Sequence, residues 1–260
     1  MFTSKYAARE LVYPLSGKKH IAIPRLMVAF DTETTGIPET PGVTMRFPPH
    51  PDPEPVSYGL VIYKNGKEHH SEHFITEPST SGGYDDIAAS RIHGLSAGTL
   101  TDSHGGKIVR DQKGNIHTPA LHPQVAIDRV LSALSRYQQQ GAYFVGHNLK
   151  FDYDMLERAH SKFYGRRRPD PSTPSLPMIA SGFDLGSAKA RTIDTLAHAK
   201  TMEDYVPGTD RVTGEPYRSH SLEALTRKHG IDPGGHTSVD DARASARLFF
   251  KQVEINRGGR

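Results

Sequence analysis

The chain has 260 residues, a formal net charge of +3 and no cysteine, and hydrophobic residues make up 35% of it. This length suits one domain with long loops, and the lack of cysteine excludes disulfides, thiolate metal sites and cysteine catalysis. No run approaches the roughly 20 apolar residues of a membrane span, and the N-terminus lacks the apolar core of a signal peptide. We therefore expect a soluble, cytoplasmic protein whose small positive charge mildly favours polyanionic partners.

The first predicted element, after an extension at residues 1–24, is a strand at residues 26–31. In it the apolar run Met27-Val28-Ala29-Phe30 continues into Asp31-Thr32-Glu33-Thr34-Thr35-Gly36. A continuous apolar run of this length predicts a strand that is buried on both faces. Because side chains alternate along a strand, Asp31 and Glu33 should share a face.

Two neighbouring carboxylates at the end of a buried strand repel each other, and burial disfavours their charged forms. A divalent cation between them would relieve both costs, and Mg²⁺ and Mn²⁺ prefer hard oxygen ligands. The other interpretation is that Asp31 and Glu33 end the strand and point into water. This stretch by itself leaves both interpretations open.

The next predicted elements are a proline-rich loop at residues 38–55 and a β-hairpin over residues 56–75. The hairpin prediction depends on Asn65-Gly66, a pair typical of tight two-residue turns. Its second arm carries three histidines that could bind a metal, although in an alternating strand they more often face solvent: His69, His70 and His73. A short helical turn at residues 85–89 and a surface excursion at residues 98–118 complete the first half.

The second half of the chain alternates predicted helices and strands. Apolar residues at helical spacing predict the helices, and short apolar runs predict the strands. In chain order these are a helix over 122–140, a strand over 142–145, a helix over 151–163, a loop over 165–182, a short strand within 191–196 that runs into a helix, a loop over 202–219, a helix over 222–229 with Ser219 or Ser221 as its N-cap, and a helix over 239–253. This order implies a layered α/β or α+β sheet.

Two further acids stand in the first turn of predicted helices. Asp152 follows His147-Asn148 after the strand at 142–145, and Asp241 follows His236 by five residues at the start of the last helix. A carboxylate in a first turn can simply compensate the helix dipole. Compensation of the helix dipole does not explain why a histidine precedes each of these acids.

Three motifs now stand in order: Asp31-x-Glu33 on the first strand, His147-Asn148 with Asp152 after a later strand, and His236 with Asp241 on the last helix. Over roughly residues 26–252 the chain resembles the DnaQ-like, DEDDh 3′–5′ exonucleases. Ile92-His93-Gly94-Leu95 resembles the family segment that cradles the terminal nucleotide. Ile193-Asp194-Thr195-Leu196 resembles the family sequence that leads to the third motif.

The resemblance implies a ribonuclease H-like α/β fold, with a mixed sheet of about five strands flanked by helices, long loop insertions, and two-metal phosphodiester hydrolysis. It implies that Asp31 contacts two Mg²⁺ or Mn²⁺ ions, that Glu33 and Asp241 complete one ion site, and that Asp152 holds the second ion directly or through water. His236 is the implied general base. An imidazole suits that role because its unperturbed pKa lies near neutrality.

The resemblance also implies a set of substrate-binding residues. Thr34 and Thr35 would hold the terminal nucleotide, Ile37 and Ile92 would wedge against the last bases, and His93 and Asn148 would contact sugar or phosphate. Packing and turn formation are equally good explanations of Ile37, Ile92, His93 and Asn148.

The predicted organisation is an extension at 1–24, an exonuclease domain at 25–254 and a tail at 255–260. The leading hypothesis is a 3′–5′ exonuclease that releases nucleoside 5′-monophosphates from single-stranded DNA ends. Alternatives are an exoribonuclease similar to oligoribonuclease or RNase T, a proofreading subunit bound to a polymerase or another replication or repair protein, and a non-catalytic nucleic-acid-binding module. The intact set of mutually repelling acids argues against the non-catalytic module. The few residues after the last predicted helix leave no C-terminal partner-binding domain for a proofreading subunit, although the N-terminal arm could serve.

Overall fold

The computed structural model describes residues 23–36, 53–76, 95–101, 107–111, 116–117, 120–164, 182–202, 206–209 and 216–258. Most of the predicted extension, most of the proline-rich loop, the helical turn at 85–89 and most of the loop at 165–182 lie outside these residues. Within the described part of the chain, no helix is long and apolar enough to cross a membrane.

Ten strands and six helices are described here. The strands are β1 (Leu26–Thr34), β2 (Pro55–Lys64), β3 (Lys67–Ile75), β4 (Leu95–Thr101), β5 (Lys107–Asp111), β6 (Ile116–His117), β7 (Tyr143–Gly146), β8 (Thr192–Asp194), β9 (Val206–Thr209) and β10 (Pro216–Ser219). The helices are α1 (Pro123–Gln139), α2 (Leu149–Tyr164), α3 (Leu185–Lys189), α4 (Thr195–Met202), α5 (Leu222–Lys228) and α6 (Ser238–Gly258).

The central sheet has five strands in the order β3-β2-β1-β7-β8. β1 pairs antiparallel with β2 and parallel with β7, and β7 pairs parallel with β8. The carboxyl ends of β1, β7 and β8 therefore meet at one edge of the sheet. The predicted hairpin of β2 and β3 is confirmed, with Asn65 and Gly66 at φ angles of +52° and +75°, as a tight hairpin turn requires.

Alternate side chains of β1 enter two different cores, because successive residues of a strand point to opposite faces. Val28 and Phe30 pack in the core beneath α1 and α2. Met27 and Ala29 pack in the core beneath α6, where Phe249 is fully buried. By this alternation Asp31 and Glu33 continue the row that faces α6, and Thr32 continues the row that faces α2.

Several predicted loops contain regular structure. The excursion at 98–118 includes the small sheet β4-β5-β6, and the loop at 202–219 includes the β9-β10 pair. These strands contain few apolar residues and no long apolar run, so hydrophobic periodicity did not reveal them. The predicted helices and the strand at 142–145 are confirmed within a few residues. The last helix continues to Gly258, beyond its predicted end at 253.

The three hairpin histidines are all solvent-exposed in β3, as an alternating strand predicts. His70 Nε2 lies 2.9 Å from the hydroxyl of Tyr137 on α1. Within the described residues these histidines do not gather into a group that could hold a metal ion.

Candidate active site and metal centre

The candidate site lies where the carboxyl end of β1 meets the first turns of α2 and α6. Gly59 of β2 pairs with Asp31 in the sheet register. A Cβ atom at position 59 would overlap the backbone of Ser238 and Val239. The missing side chain therefore lets the first turn of α6 lie directly on the sheet, and Asp241 is brought to the row of Asp31 and Glu33.

Three carboxylates converge there. Asp31, Glu33 and Asp241 each offer one oxygen, and the three oxygens lie within 4.8 Å of one another. Burial, followed by the charges of Asp152, Glu33 and Asp241, holds the pKa of Asp31 well above its usual range. Burial and the charges of Asp241 and Asp152 raise the pKa of Glu33 to about 8. Without a cation, these acids resist ionising together near neutral pH.

Asp152 approaches the same group from α2 and is only 2% exposed. Its Oδ1 accepts hydrogen bonds from the backbone N–H of Thr32 at 2.9 Å and from the Thr32 hydroxyl at 2.8 Å. Burial raises the pKa of Asp152 to about 7, and the bonds from Thr32 oppose that rise. Asp152 lies outside the group of three oxygens within 4.8 Å, but its charge raises the pKa of both strand acids.

His236 stands immediately before α6, with Nδ1 3.9 Å from Oδ1 of Asp241 and with 23% of its side chain exposed. Its backbone has a φ of +55°. This left-handed region is uncommon for a residue with a Cβ, and surrounding structure must hold it there. The predicted histidine and the predicted acid of the third motif are therefore neighbours in space.

Asn148 also has a left-handed backbone, at φ +73°. Its N–H donates to Oδ1 of Asp194 at 3.1 Å, and the Leu149 N–H donates to Oδ2 at 3.1 Å. Oδ1 of Asp194 also accepts the Leu196 N–H at 2.9 Å. One carboxylate thus serves the first turns of both α2 and α4, which fixes the helix that carries Asp152.

This role of Asp194 was not predicted from the sequence. Its position at the end of a strand and directly before a helix is a signal for N-capping, since Asp is among the preferred N-cap residues. Its second partner, the start of α2, lies 46 residues away in the chain, and no local pattern indicates it.

His147 precedes Asn148 and points into the protein. Its Nδ1 lies 2.9 Å from the hydroxyl of Thr195, at the start of α4. Burial lowers the pKa of His147 to about 4, against the opposing charge of Asp194. At neutral pH this imidazole is therefore uncharged and links α4 to the carboxyl end of β7.

The two threonines after Glu33 are buried and already bonded within the protein. The Thr34 hydroxyl donates to the carbonyl of Gly36 at 2.7 Å. The Thr35 N–H donates to the Glu54 carbonyl at 2.9 Å, and the Thr35 hydroxyl accepts the Glu54 N–H at 3.0 Å. These bonds shape the turn after β1. Three other predicted substrate-binding residues lie outside the described residues: Ile37, Ile92 and His93.

The donor set fits a hard divalent cation. Carboxylate oxygens are the ligands that Mg²⁺ and Mn²⁺ prefer. Burial and the neighbouring acids raise the pKa values of Asp31 and Glu33, so a positive charge is needed to compensate their negative charges. A bound cation would supply that compensation.

Solved structures of exonuclease I share this fold. E. coli exonuclease I in complex with a dT13 oligonucleotide aligns with a TM-score of 0.53 at 15% identity, over 91% of this chain and 42% of its own. A product-bound exonuclease I gives 0.54 at 15% identity, over 90% and 44%. The zinc-bound E. coli exonuclease I complex with single-stranded DNA gives 0.51 at 15% identity, over 91% and 42%. The chain thus spans less than half the length of these structures.

No protein-family model matches the chain, and no curated protein matches it. The likeness to exonuclease I is one of three-dimensional structure at low sequence identity. It confirms the predicted fold, so that the chain has the α/β fold of the exonuclease I structures, with a mixed five-stranded sheet flanked by helices.

Proposed function

We propose that the chain is a DnaQ-like nuclease of the DEDDh type, a 3′–5′ exonuclease that releases nucleoside 5′-monophosphates from single-stranded DNA ends. The observation that carries this proposal is the convergence of Asp31, Glu33 and Asp241, whose carboxylate oxygens lie within 4.8 Å of one another. A partly buried cluster of mutually repelling acids is costly for a protein that only binds nucleic acid. The four acids and the histidine of the resemblance all lie at this one edge of the sheet.

Asp31, Glu33 and Asp241 would hold one Mg²⁺ or Mn²⁺ ion, and Asp31 and Asp152 would hold a second. When bound, such ions stabilise the attacking and leaving oxygens of an in-line displacement at phosphorus. The chain contributes the negative charge and its placement. The two bonds from Thr32 keep the Asp152 carboxylate in one orientation.

His236 would take the proton from the attacking water. Its imidazole lies beside Asp241, 3.9 Å from Oδ1, and is partly exposed. In this position the imidazole would be a proton acceptor next to the acids and within reach of solvent. In the turn after β1, the N–H and hydroxyl of Thr35 both bond to Glu54. We propose that this turn, with Ile37, Ile92, His93 and Asn148, receives the terminal nucleotide.

The test is a time course on denaturing gels with matched 5′-labelled single-stranded DNA and RNA, in Mg²⁺, in Mn²⁺ and in EDTA. We expect a metal-dependent ladder that shortens from the 3′ end, with DNA degraded faster. Faster degradation of RNA would favour the exoribonuclease alternative. No shortening of either substrate in either metal would contradict the proposal.

Two variants distinguish a specific loss of the acid cluster from a general loss of the folded structure. Asp241→Asn should abolish the ladder, because it removes a ligand charge from the cluster. Glu254→Gln is the matched control, since Glu254 lies on the same helix with 68% of its side chain exposed. The control should leave the ladder unchanged.

A further inference from the structure

The segment Gly234-Gly235-His236-Thr237 is bound on both sides of His236 by a single side chain. Oδ2 of Asp240 accepts the Gly235 N–H at 3.0 Å and the Thr237 hydroxyl at 2.9 Å. The Asp240 N–H donates back to the Thr237 hydroxyl at 3.2 Å. The carboxylate of Asp240 therefore bridges across the histidine.

This arrangement differs from an ordinary helix cap. In a capping box, the acid at the third helical position returns to the backbone N–H of the N-cap residue. Thr237 and Asp240 occupy these two positions at the start of α6. Here the Asp240 carboxylate reaches instead to Gly235, two residues before the cap, so His236 lies inside the bonded loop.

Residues 234–237 also pack closely against the side chain of Asp240. A Cβ at Gly234 would lie 2.7 Å from Cβ of Asp240, and a Cβ at Gly235 would lie 3.1 Å from its Oδ2. Gly234 and His236 have φ angles of +76° and +55°. A left-handed backbone at a histidine costs free energy and persists only where its surroundings hold it. The bonds to Asp240 lie on both sides of this histidine.

Asp240 is in turn anchored to the sheet. Its Oδ1 accepts Nη1 of Arg243 at 3.0 Å. Arg243 donates through Nε and Nη2 to Glu68 of β3, at 3.0 Å from Oε2 and 3.0 Å from Oε1. The Arg243 side chain is 23% exposed, and paired bonds of this kind have a defined geometry. The chain of contacts runs from β3 through Arg243 and Asp240 to the backbone around His236.

We propose that Asp240 is a positioning residue for His236, and that Arg243 and Glu68 fix Asp240 against the sheet. The catalytic part of this inference rests on the proposed function, in which His236 accepts the proton of the attacking water. Asp240 acts through the backbone of residues 235–237 and contacts neither the substrate nor the reacting atoms.

The kinetic test is a double-mutant cycle on the full chain. Asp240→Ala should lower kcat about tenfold to a hundredfold, as expected for a displaced catalytic group, and leave KM for the oligonucleotide unchanged. Asp240→Asn, which keeps an acceptor oxygen, should retain most of the activity. In a His236→Ala background, Asp240→Ala should cause no further loss. An equal loss in both backgrounds would overturn the proposal.

A second measurement does not depend on nuclease activity. Amide hydrogen exchange of Gly235, followed by NMR, should be faster in Asp240→Ala and in Glu68→Ala than in the wild-type protein. Lys251→Met is the matched control, because it breaks another i,i+3 ion pair of α6, with Glu254 at 3.0 Å. Unchanged Gly235 exchange in Asp240→Ala would overturn the proposal even if the wild type cleaves no oligonucleotide. Faster exchange in an inactive wild type would contradict the proposed function alone.

Discussion

The acid cluster predicts that removing one charge will stabilise the metal-free protein. The pKa of Glu33 is raised from 4.5 to about 8, so between these pH values the folded state binds a proton that the unfolded state has released. Stability therefore falls as pH rises through this window. Glu33→Gln removes the contribution of this residue to the pH dependence, since glutamine keeps the shape of the side chain but does not ionise.

The magnitude follows from linkage. A carboxyl group whose pKa rises from 4.5 to about 8 destabilises the fold at pH 8 by up to about 4 kcal/mol. The neighbouring acids ionise together with Glu33, so part of this cost belongs to the group, and we expect a gain of ~2 kcal/mol. For a chain of this size, that gain corresponds to a Tm about 4–8 °C higher.

The assay is thermal unfolding followed by far-UV circular dichroism in EDTA. Glu33→Gln should exceed the wild type in Tm at pH 8.5, and the difference should shrink at pH 5. Addition of Mg²⁺ or Mn²⁺ should raise the Tm of the wild type at pH 8.5 more than that of the variant. The exposed Glu254→Gln should match the wild type throughout. A Glu33→Gln Tm no higher than that of the wild type at pH 8.5, or a Tm difference of the same size at both pH values, would contradict this linkage.

Three further variants test how the site is held. Thr32→Val removes a hydroxyl bond to Asp152, so the pKa of that acid should rise. Nuclease activity should therefore fall about tenfold near pH 7 and recover at higher pH. Thr32→Ser, which keeps the hydroxyl, should resemble the wild type. A pH–rate profile identical to the wild type would contradict this. Gly59→Ala should lower the free energy of unfolding, measured with denaturant, by more than about 3 kcal/mol, because the added Cβ meets the backbone of Ser238. A soluble variant as stable as the wild type would show that α6 can shift. Asp194→Ala should lower the free energy of unfolding by about 1–2 kcal/mol through the loss of helix-capping bonds, and a Tm equal to that of the wild type would exclude this role.

Local pattern was enough to predict most elements of the sheet and its helices. The apolar run before Asp31, the Asn65-Gly66 turn and the helical spacing in α1 and α6 each act within a short window of the chain. Intrinsic preference and amphipathic burial operate over the same window. The β4-β5-β6 and β9-β10 sheets were not predicted, because their strands contain few apolar residues and no local pattern indicates which segments pair.

Local pattern also sufficed to predict that Asp31 and Glu33 share one face of a buried strand, and that an acid lies in the first turn of each of two later helices. Which acids meet depends on the folded chain. Asp241 reaches the strand acids because Gly59 leaves room for α6, and Asp152 is oriented by Thr32, 120 residues away in the chain. Such contacts depend on strand register and on the close approach of distant backbones. No local preference encodes either, so the bonds that hold the site become visible only once the chain has folded.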